Sequence, residues 1–405
     1  MRSIFGIAPL VIGSLVGCLA APLAQAATPL AAAFAQAWAR QPAALAEGER
    51  QRAVSAQSAA ADRWTPAPGS LELGLRSDRF NRNQGASEVD VGVAIPLWLP
   101  GERNGAQALA AAAEGALAGR QAALRLQLAQ ALRDAWWQWQ LSQNEAVLAN
   151  GREAAARRLR DDVARRYQAG DLARADLNQA EGALAQARAA QAEARAGAAQ
   201  AGYRLESLTG LPAAEEPPVA EPEPFAPAGE HAVLSDLQGR GEVARRNAEL
   251  ARVQSRANPE LTIATRRDKP ASDALNEQTW ALGVRIPFGG GPRHDARIAQ
   301  ANAEAIEAAA TLERERERLV RAAALAQVQV DAARAQLAAA EQRARVAGEN
   351  RGFYDKSFRL GESDLPTRLR IEAEAVEAER ALMRARIGLA QGISQWRQSL
   401  GLLPE

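Results

Sequence analysis

The sequence predicts a mainly α-helical fold with a small β part, in which strands followed by long helices occur twice. The first observation is a constant offset of 191 residues, which separates Pro96 from Pro287, Gly170 from Gly361 and Gly210 from Gly401. The second is a pair of segments with period-two alternation, and the third is the long proline-free stretch after each of them. Recurrence at one offset indicates a tandem duplication.

The duplication predicts four segments along the chain. Residues 1–26 form a leader, 27–211 a first repeat, 212–229 a linker and 230–405 a second repeat. Each repeat holds a helix, a β-hairpin and a long helical hairpin. The linker is rich in proline and glutamate, which favours a stiff, extended chain rather than a helix.

The leader has the features of a secretory signal peptide. Arg2 precedes an apolar run from Ile4 to Leu23, and the Ala24-Gln25-Ala26 triplet suits cleavage by a signal peptidase. The alternative is a lipobox ending at Cys18, which would leave this cysteine lipidated as the new N-terminus. Cys18 is the only cysteine, so simple cleavage would exclude disulfide bonds from the mature chain.

Composition favours helices, because Ala, Arg, Gln, Glu and Leu dominate and aromatic residues make up only 4% of the chain. The predicted helices cover residues 30–63, 102–168, 172–208, 231–257, 293–359 and 364–400. The two longest would each extend about 100 Å, which fits only an elongated assembly. Their many alanines with spaced leucines suit close, coiled-coil-like packing.

Two hairpins of amphipathic strands interrupt the helices. Apolar side chains alternate with polar or small ones at Leu71, Leu73, Leu75, Val89, Val91, Val93, Ile95 and Leu97, and again at Leu261, Ile263, Trp280, Leu282, Val284, Ile286 and Phe288. Strands of roughly ten residues with one apolar face suit the thickness of an outer membrane. Four strands cannot close a barrel, so closure would need two chains with eight strands or three chains with twelve. The alternative is a soluble sheet that caps a helical bundle.

The charge pattern and the histidines give no support to nucleic-acid binding, catalysis or metal chelation by the chain. Lys plus Arg number 49 and Asp plus Glu 48, which leaves no field that would attract nucleic acid. His231 and His294 are the only histidines, and neither lies in a metal-ligand motif. Gly289–Gly291 lacks a following Lys-Ser or Lys-Thr, so a bend is a better interpretation than a phosphate loop. We therefore expect no enzyme activity and no cofactor.

The order of elements resembles the TolC-type outer membrane factor family over essentially the whole mature chain. The most specific local matches are Phe358–Leu365, Glu377–Leu382 and Ser399–Pro404, which are similar to the CzcC-like branch, the outer-membrane partners of heavy-metal pumps. The resemblance implies a homotrimer with a twelve-stranded transmembrane β-barrel in outer-membrane lipid and a tunnel of helical hairpins through the periplasm. It also implies a periplasmic adaptor (membrane fusion) protein and an inner-membrane pump of the resistance–nodulation–division (RND) class as partners.

By this resemblance, the turns of the two helical hairpins are the tips that dock the adaptor. They comprise Gly170, Asp171, Leu172, Leu360, Gly361, Glu362 and Ser363. Ordinary turn chemistry is the alternative interpretation, since glycine commonly ends a helix and Asp or Ser commonly begins the next one. Both interpretations can hold, because the turn is what presents the tip.

The tunnel mouth departs from the family pattern. Members often carry carboxylates six and nine residues after the second tip glycine, where this sequence has Thr367 and Arg370. Three symmetry-related cations would repel a divalent metal rather than concentrate it. The acidic candidates near the mouth are Asp171, Asp176, Glu362 and Asp364. Export of drugs, solvents or a secreted protein remains an alternative to metal export, and a periplasmic coiled-coil scaffold is a rival of another class.

Overall fold

A computed structural model describes residues 29–405 except 82, 214–218, 226–228, 272, 274 and 290. The predicted signal peptide and Cys18 lie outside the described residues. The helices are α1 (Pro29–Ala39), α2 (Pro42–Leu45), α3 (Glu47–Ala61), α4 (Glu102–Ala169), α5 (Arg174–Thr209), α6 (Ala232–Val253), α7 (Gly291–Leu360) and α8 (Leu365–Ser399). The strands are β1 (Ser70–Ser77), β2 (Ser87–Pro96), β3 (Glu260–Lys269) and β4 (Glu277–Arg285). The prediction of a mainly helical fold with a small β part is confirmed.

The first predicted helix was wrong in extent, because three helices occupy residues 30–63 instead of one. Gln41 is extended and Pro42 begins α2, as expected of a residue that cannot donate a backbone hydrogen bond inside a helix. The helix predicted to reach residue 257 ends at Val253, shortly before Pro259 and the start of β3. β4 ends at Arg285, so Ile286 and Phe288 lie beyond the strand into which the alternation placed them.

The four strands form one antiparallel sheet in the order β1-β2-β3-β4. β2 and β3 join the two repeats, with Ser87 opposite Lys269 at one end and Pro96 opposite Glu260 at the other. We call the second end the base, because all four connections to helices leave the sheet there, and the first the turn end. Glu102, at the start of α4, is buried at the base. Its carboxylate accepts hydrogen bonds from the Leu99 backbone N–H at 2.9 Å and from Asn258 at 2.5 Å.

The helices pack as two long antiparallel hairpins, α4 with α5 and α7 with α8. α4 has 68 residues and α7 has 70, so each extends about 100 Å at 1.5 Å per residue. α6 lies against both α4 and α7, and α4 also contacts α8. Within the described part of the chain, no helix is both long enough and apolar enough to cross a membrane.

Glycines allow α4 and α6 to pack against each other at short range. A Cβ added at Gly119 would lie 2.9 Å from the backbone of Ser235, and one at Gly239 would lie 2.8 Å from the Cβ of Ala116. Both distances are shorter than packed atoms tolerate, so any larger residue would push the helices apart. This close packing joins the long helix of the first repeat to the short helix of the second.

The largest hydrophobic core lies halfway along α4. It gathers buried residues of α1, α4, α5 and α8, which are Leu30, Leu132, Trp136, Trp137, Trp139, Ala201, Leu205, Ile387 and Ala390. Trp137 is 1% exposed, and its Nε1 donates a 2.9 Å hydrogen bond to the Oγ of buried Ser394. This core fixes the two helical hairpins to each other at mid-height.

His231 is expected to make the stability of the fold depend on pH. Its Nδ1 accepts a hydrogen bond from the Val233 N–H and so caps α6. Burial lowers the pKa of His231 below its ordinary value of 6.5, and the Glu315 carboxylate opposes part of this effect. Because the native pKa is lowered, this contribution to the free energy of unfolding is present above pH 6.5 and is lost as the pH falls through the native pKa.

The measurement is denaturant unfolding at a series of pH values for the wild type and for His231→Asn, which can cap α6 but does not titrate. We expect the variant to lose the decline in stability below pH 6.5 that the wild type shows. Equal pH dependence of the two proteins would contradict the assignment to His231.

Candidate docking tips and sheet surface

The first hairpin tip is an exposed turn that ends in a helix cap. α4 ends at Gly170, whose φ of 89° is left-handed and therefore favours glycine. Asp171 is exposed, while Leu172 packs partly buried beneath the turn. The side chain of Asp176 accepts a 3.1 Å hydrogen bond from the Ala173 N–H, which precedes α5. The structure thus gives Asp176, a tunnel-mouth candidate in the sequence, a capping role at the start of α5.

The second tip has the same plan. Gly361 follows α7 with a φ of 79°, and Leu360 and Glu362 are exposed beside it. Asp364 caps α8, since its Oδ1 accepts a 3.1 Å hydrogen bond from the Thr367 N–H. Hydrogen bonds from the side chain and backbone of Thr367 lower the pKa of Asp364. Ser363 is half-buried between Glu362 and this cap. Ordinary turn chemistry therefore accounts for Asp364 and Asp176.

Arg370 is less available as a free cation than the sequence suggested. It is exposed on the first turns of α8, and its Nη1 lies 2.6 Å from a carboxylate oxygen of Glu374. An exposed pair at this spacing contributes little to stability. The Glu374 carboxylate nevertheless neutralises much of the field that an isolated arginine would produce around this part of α8.

The structure brings the two tips together through residues that the sequence analysis missed. Arg166 of α4 donates hydrogen bonds to the backbone oxygens of Phe358 at 3.3 Å and Arg359 at 3.4 Å. The buried ring of Phe358 lies between two guanidinium groups, 5.1 Å from Arg166 and 5.0 Å from Arg368. Arg368 also forms a 2.6 Å ion pair with Asp355. A sequence signal existed, since Phe358 and Tyr167 occupy matching positions in the two repeats.

A small hydrophobic core lies directly beneath these contacts. It consists of Leu159, Val163, Leu177, Ala180, Phe358 and Leu365, with Leu172, Ala164 and Leu369 partly buried around it. Members come from all four long helices, so the tips are held as one unit. Among the predicted tip residues, Leu172 supports this core, whereas Asp171, Leu360 and Glu362 face outward.

Between the mid-height core and the tips, the two hairpins leave a groove of about 1300 Å³. Charges of both signs line it, among them Glu145, Arg152, Arg158, Glu193, Arg351 and Asp355. Several of these pair, as Glu145 does with Arg380 at 3.3 Å and Arg351 with Glu379 at 2.8 Å. The groove therefore presents no field of one sign to a ligand. The described residues also contain no group of three or more His, Cys, Asp or Glu side chains placed to hold a metal ion.

A buried ionic cluster ties the linker to the helices, and the sequence analysis did not find it. Glu221 is 2% exposed and accepts from Arg133 of α4 at 2.7 and 2.9 Å. Arg397 of α8 lies 3.3 Å from the same carboxylate and donates to the Pro222 backbone oxygen at 3.0 Å. We call Arg133, Glu221 and Arg397 the clasp. In the sequence, nothing distinguishes Glu221 from the other glutamates of the acidic linker.

Removing the Arg166 contact is expected to loosen the tips without unfolding the molecule. Arg166→Gln would lose two charge-assisted hydrogen bonds, one cation–π contact and a 3.4 Å ion pair with Asp162, which together contribute about 1–2 kcal/mol at a partly exposed site. Amide hydrogen exchange near Phe358 should accelerate by about fivefold to thirtyfold. The matched control is Arg165→Gln, because Arg165 is more exposed and has only Asp162 as a partner among the described residues. Equal acceleration of amide exchange in both variants would contradict this role for Arg166.

The sheet has one apolar and one polar face, as its alternation predicted. Successive cross-strand rows place these side chains on the apolar face: Leu71, Leu73, Leu75, Val89, Val91, Val93, Ile95, Leu261, Ile263, Trp280, Leu282 and Val284. Most are well exposed, Leu75 at 81% and Trp280 at 73%. The opposite face has small residues near the base, such as Gly92 and Ala264, and charged residues at the turn end. A face of this size and apolarity needs a non-aqueous neighbour.

Comparisons with known proteins find similar folds but no similar sequence. No protein-family model matches the chain, and no curated protein sequence does so either. Solved structures do match. The outer membrane protein VceC from Vibrio cholerae superposes with a TM-score of 0.72 at 16% identity, covering 93% of this chain and 97% of that one. The chain has the fold of an outer-membrane channel.

Two further channels show the same fold. The CmeC outer membrane channel of Campylobacter jejuni matches with a TM-score of 0.74 at 12% identity, covering 92% of this chain and 85% of that chain. The open state of the MtrE outer membrane channel of Neisseria gonorrhoeae gives 0.71 at 16% identity, with 92% and 89% covered. Within this channel fold, the two helical hairpins and the four-stranded sheet are the parts that the sequence predicted.

Proposed function

We propose that this chain is the outer-membrane channel of a tripartite efflux system. It conducts substrate passively from an inner-membrane pump of the RND class and its periplasmic adaptor to the exterior. The observation that carries the proposal is the sheet, whose exposed apolar face lies at one end of helices about 100 Å long. Such a molecule can sit in the outer membrane at one end and reach through the periplasm at the other.

Three copies complete the channel in this proposal. β1 and β4 are the outer strands of the sheet, and open edges are not tolerated in lipid. Pairing β4 of one copy with β1 of the next closes twelve strands around an aqueous lumen. A stripe on α7 supports the assembly, because its large apolar side chains are exposed in one copy: Ile306, Val320, Val328, Val346 and Phe353.

The hairpin tips dock the adaptor in this proposal. Gly170, Asp171 and Leu172 form the first tip, and Leu360 to Ser363 form the second. Leu360 supports docking, since it is 64% exposed at the end of the molecule farthest from the sheet. Glu362 is an exposed carboxylate beside it and Asp171 is an exposed carboxylate at the first tip, and both would pair with cations of an adaptor.

Cell fractionation and electrophoresis test the channel. We expect the chain in the outer-membrane fraction, as a trimer that dissociates on heating, and a steady conductance when the trimer is inserted into planar bilayers. A soluble periplasmic monomer without conductance would instead favour a coiled-coil scaffold. Site-specific cross-linking from Leu360 to a co-expressed adaptor tests the tips, with the exposed Leu45 of α2 as a control position.

Arg370 is expected to influence ion selection at the tunnel mouth. Arg370→Gln leaves the Glu374 carboxylate unpaired, so three copies would add three negative charges and favour cations. The ratio of cation to anion permeability in bilayers should rise by about twofold or more, and less at high salt because of screening. Arg52→Gln removes a comparable exposed pair on α3, away from the tips. An unchanged ratio in the Arg370 variant would place this residue outside the constriction.

Heavy-metal cations are the substrate that we propose. Support comes from the segments Phe358–Leu365 and Ser399–Pro404, which are similar to the CzcC-like branch. A strain that lacks the chain should be challenged with zinc, cobalt, cadmium and copper and with several drugs. Lost metal tolerance would agree with the proposal, while lost drug tolerance with unchanged metal tolerance would favour drug efflux.

A further inference from the structure

The apolar face of the sheet ends in two cations at its turn end. Arg267 shares a cross-strand row with Leu75 and Val89. Lys269 lies opposite Ser87, two residues farther toward the turn end of the sheet. Side chains two residues apart on a strand point to the same face, so both cations continue the apolar face. Lys269 is one of only two lysines in the chain. The apolar rows therefore stop at a line of positive charge.

These cations differ from the arginines on the polar face. Arg266 lies 2.8 Å from Asp90 and 2.9 Å from Glu88, and Arg76 lies 3.2 Å from Glu88. By contrast, neither Arg267 nor Lys269 has an ion pair or side-chain hydrogen bond to any described residue. Arg267 is exposed and Lys269 is half-buried. Arg266 and Arg267 thus have different electrostatic surroundings, because successive side chains of a strand point to opposite faces of the sheet.

The residues around the two cations suit a boundary between lipid and water. Trp280 lies one row nearer the base and is 73% exposed, as is common for aromatic side chains at membrane interfaces. The turn between β1 and β2 adds Arg79 and the fully exposed Phe80. Long cationic side chains at such a boundary keep their charge in the headgroup layer while their stems lie on apolar surface.

We propose that Arg267 and Lys269 bind the phosphorylated headgroup of an anionic lipid in the outer leaflet. The inference rests on the proposed function, since it requires the apolar face to lie in the outer membrane with its turn end outward. Arginine and lysine are suited to phosphate oxygens, and each basic residue near a lipid surface strengthens binding about fivefold. A lipid is favoured over free phosphate because the adjoining rows of Leu75, Val89 and Val91 offer surface for acyl chains.

The test titrates the purified full chain in non-ionic detergent with bisphosphorylated lipid A and counts bound lipid by native mass spectrometry. The variant with Arg267→Gln and Lys269→Gln should bind about 25-fold more weakly than wild type. Arg267→Lys in the wild-type background should retain most of the affinity, because it keeps the charge. Arg266→Gln is the matched control and should stay within about twofold, since that arginine is paired on the polar face.

Three results would overturn the inference: equal binding by the double variant and the wild type, equal weakening by Arg266→Gln, or displacement of the lipid by inorganic pyrophosphate at equal phosphate concentration. Conductance in planar bilayers separates this inference from the proposed function. If the wild-type protein conducts normally but does not bind lipid A in the titration, only the lipid site is overturned. A wild type that neither inserts nor conducts would overturn the channel itself.

Discussion

Replacing Glu221 with alanine is expected to lower the free energy of unfolding by about 3–5 kcal/mol, because the change leaves buried Arg133 without a carboxylate and leaves buried Arg397 with only the exposed Glu405 at 3.0 Å. Arg133 is 1% exposed and Arg397 is 3% exposed, so neither guanidinium group has appreciable contact with bulk water. Arg133 keeps a hydrogen bond to the Leu402 backbone oxygen at 3.0 Å. Neutral acceptors of that kind do not offset the charge of a buried guanidinium.

Glu223 provides the matched control two residues along the linker. It pairs with Arg334 at 2.6 Å, but both side chains are about half exposed. Glu223→Ala should therefore cost less than about 1 kcal/mol. Thermal or denaturant unfolding of the purified protein, followed by tryptophan fluorescence, compares the two variants. Similar losses of stability would show that the clasp is no more important than a surface pair.

Replacing Trp137 with alanine is expected to cost about 3–5 kcal/mol through the cavity that it leaves in the mid-height core. The indole is 1% exposed and packs where α1, α4, α5 and α8 meet. The change also removes the donor to Ser394, which is fully buried. An unpaired buried hydroxyl adds to the cost.

Two further variants separate packing from hydrogen bonding at Trp137. Trp137→Phe retains most of the packing but loses the bond to Ser394, so we expect a smaller loss of about 1–3 kcal/mol. Trp64→Ala removes a tryptophan that is 91% exposed and should change the stability by less than about 0.5 kcal/mol. A Trp137→Ala protein as stable as the Trp64→Ala protein would contradict the role given to the core.

The sequence predicted the features that depend on periodicity and on backbone conformation. Alternation placed Leu71, Val93 and Leu282 on one face of the sheet, and the structure aligns them in one cross-strand row. Gly170 and Gly361 were expected to end long helices, and both have the left-handed φ that this requires. Such features follow from local rules that act on a few neighbouring residues.

Other features depend on contacts between distant residues and could not be predicted. Glu221 resembles the other glutamates of the linker until Arg133 and Arg397 close around it. The place of Phe358 between two arginines likewise needs the packing of both hairpin tips. Even the break before Pro42, which proline chemistry indicates, was hidden by the helical composition on either side of it.

The clasp also bears on the order in which the chain can fold. Arg133 donates hydrogen bonds to the Gln398 side-chain oxygen and the Leu402 backbone oxygen, which lie 265 and 269 residues later in the sequence. Contacts over such separations form slowly, because a long loop must close first. The middle of α4 therefore stays without these two hydrogen-bond acceptors until the second repeat has been synthesised and folded. A chain that stalls before α8 lacks these two acceptors of Arg133 and also lacks Arg397, the second partner of Glu221, and quality-control proteases can recognise and remove such incomplete copies.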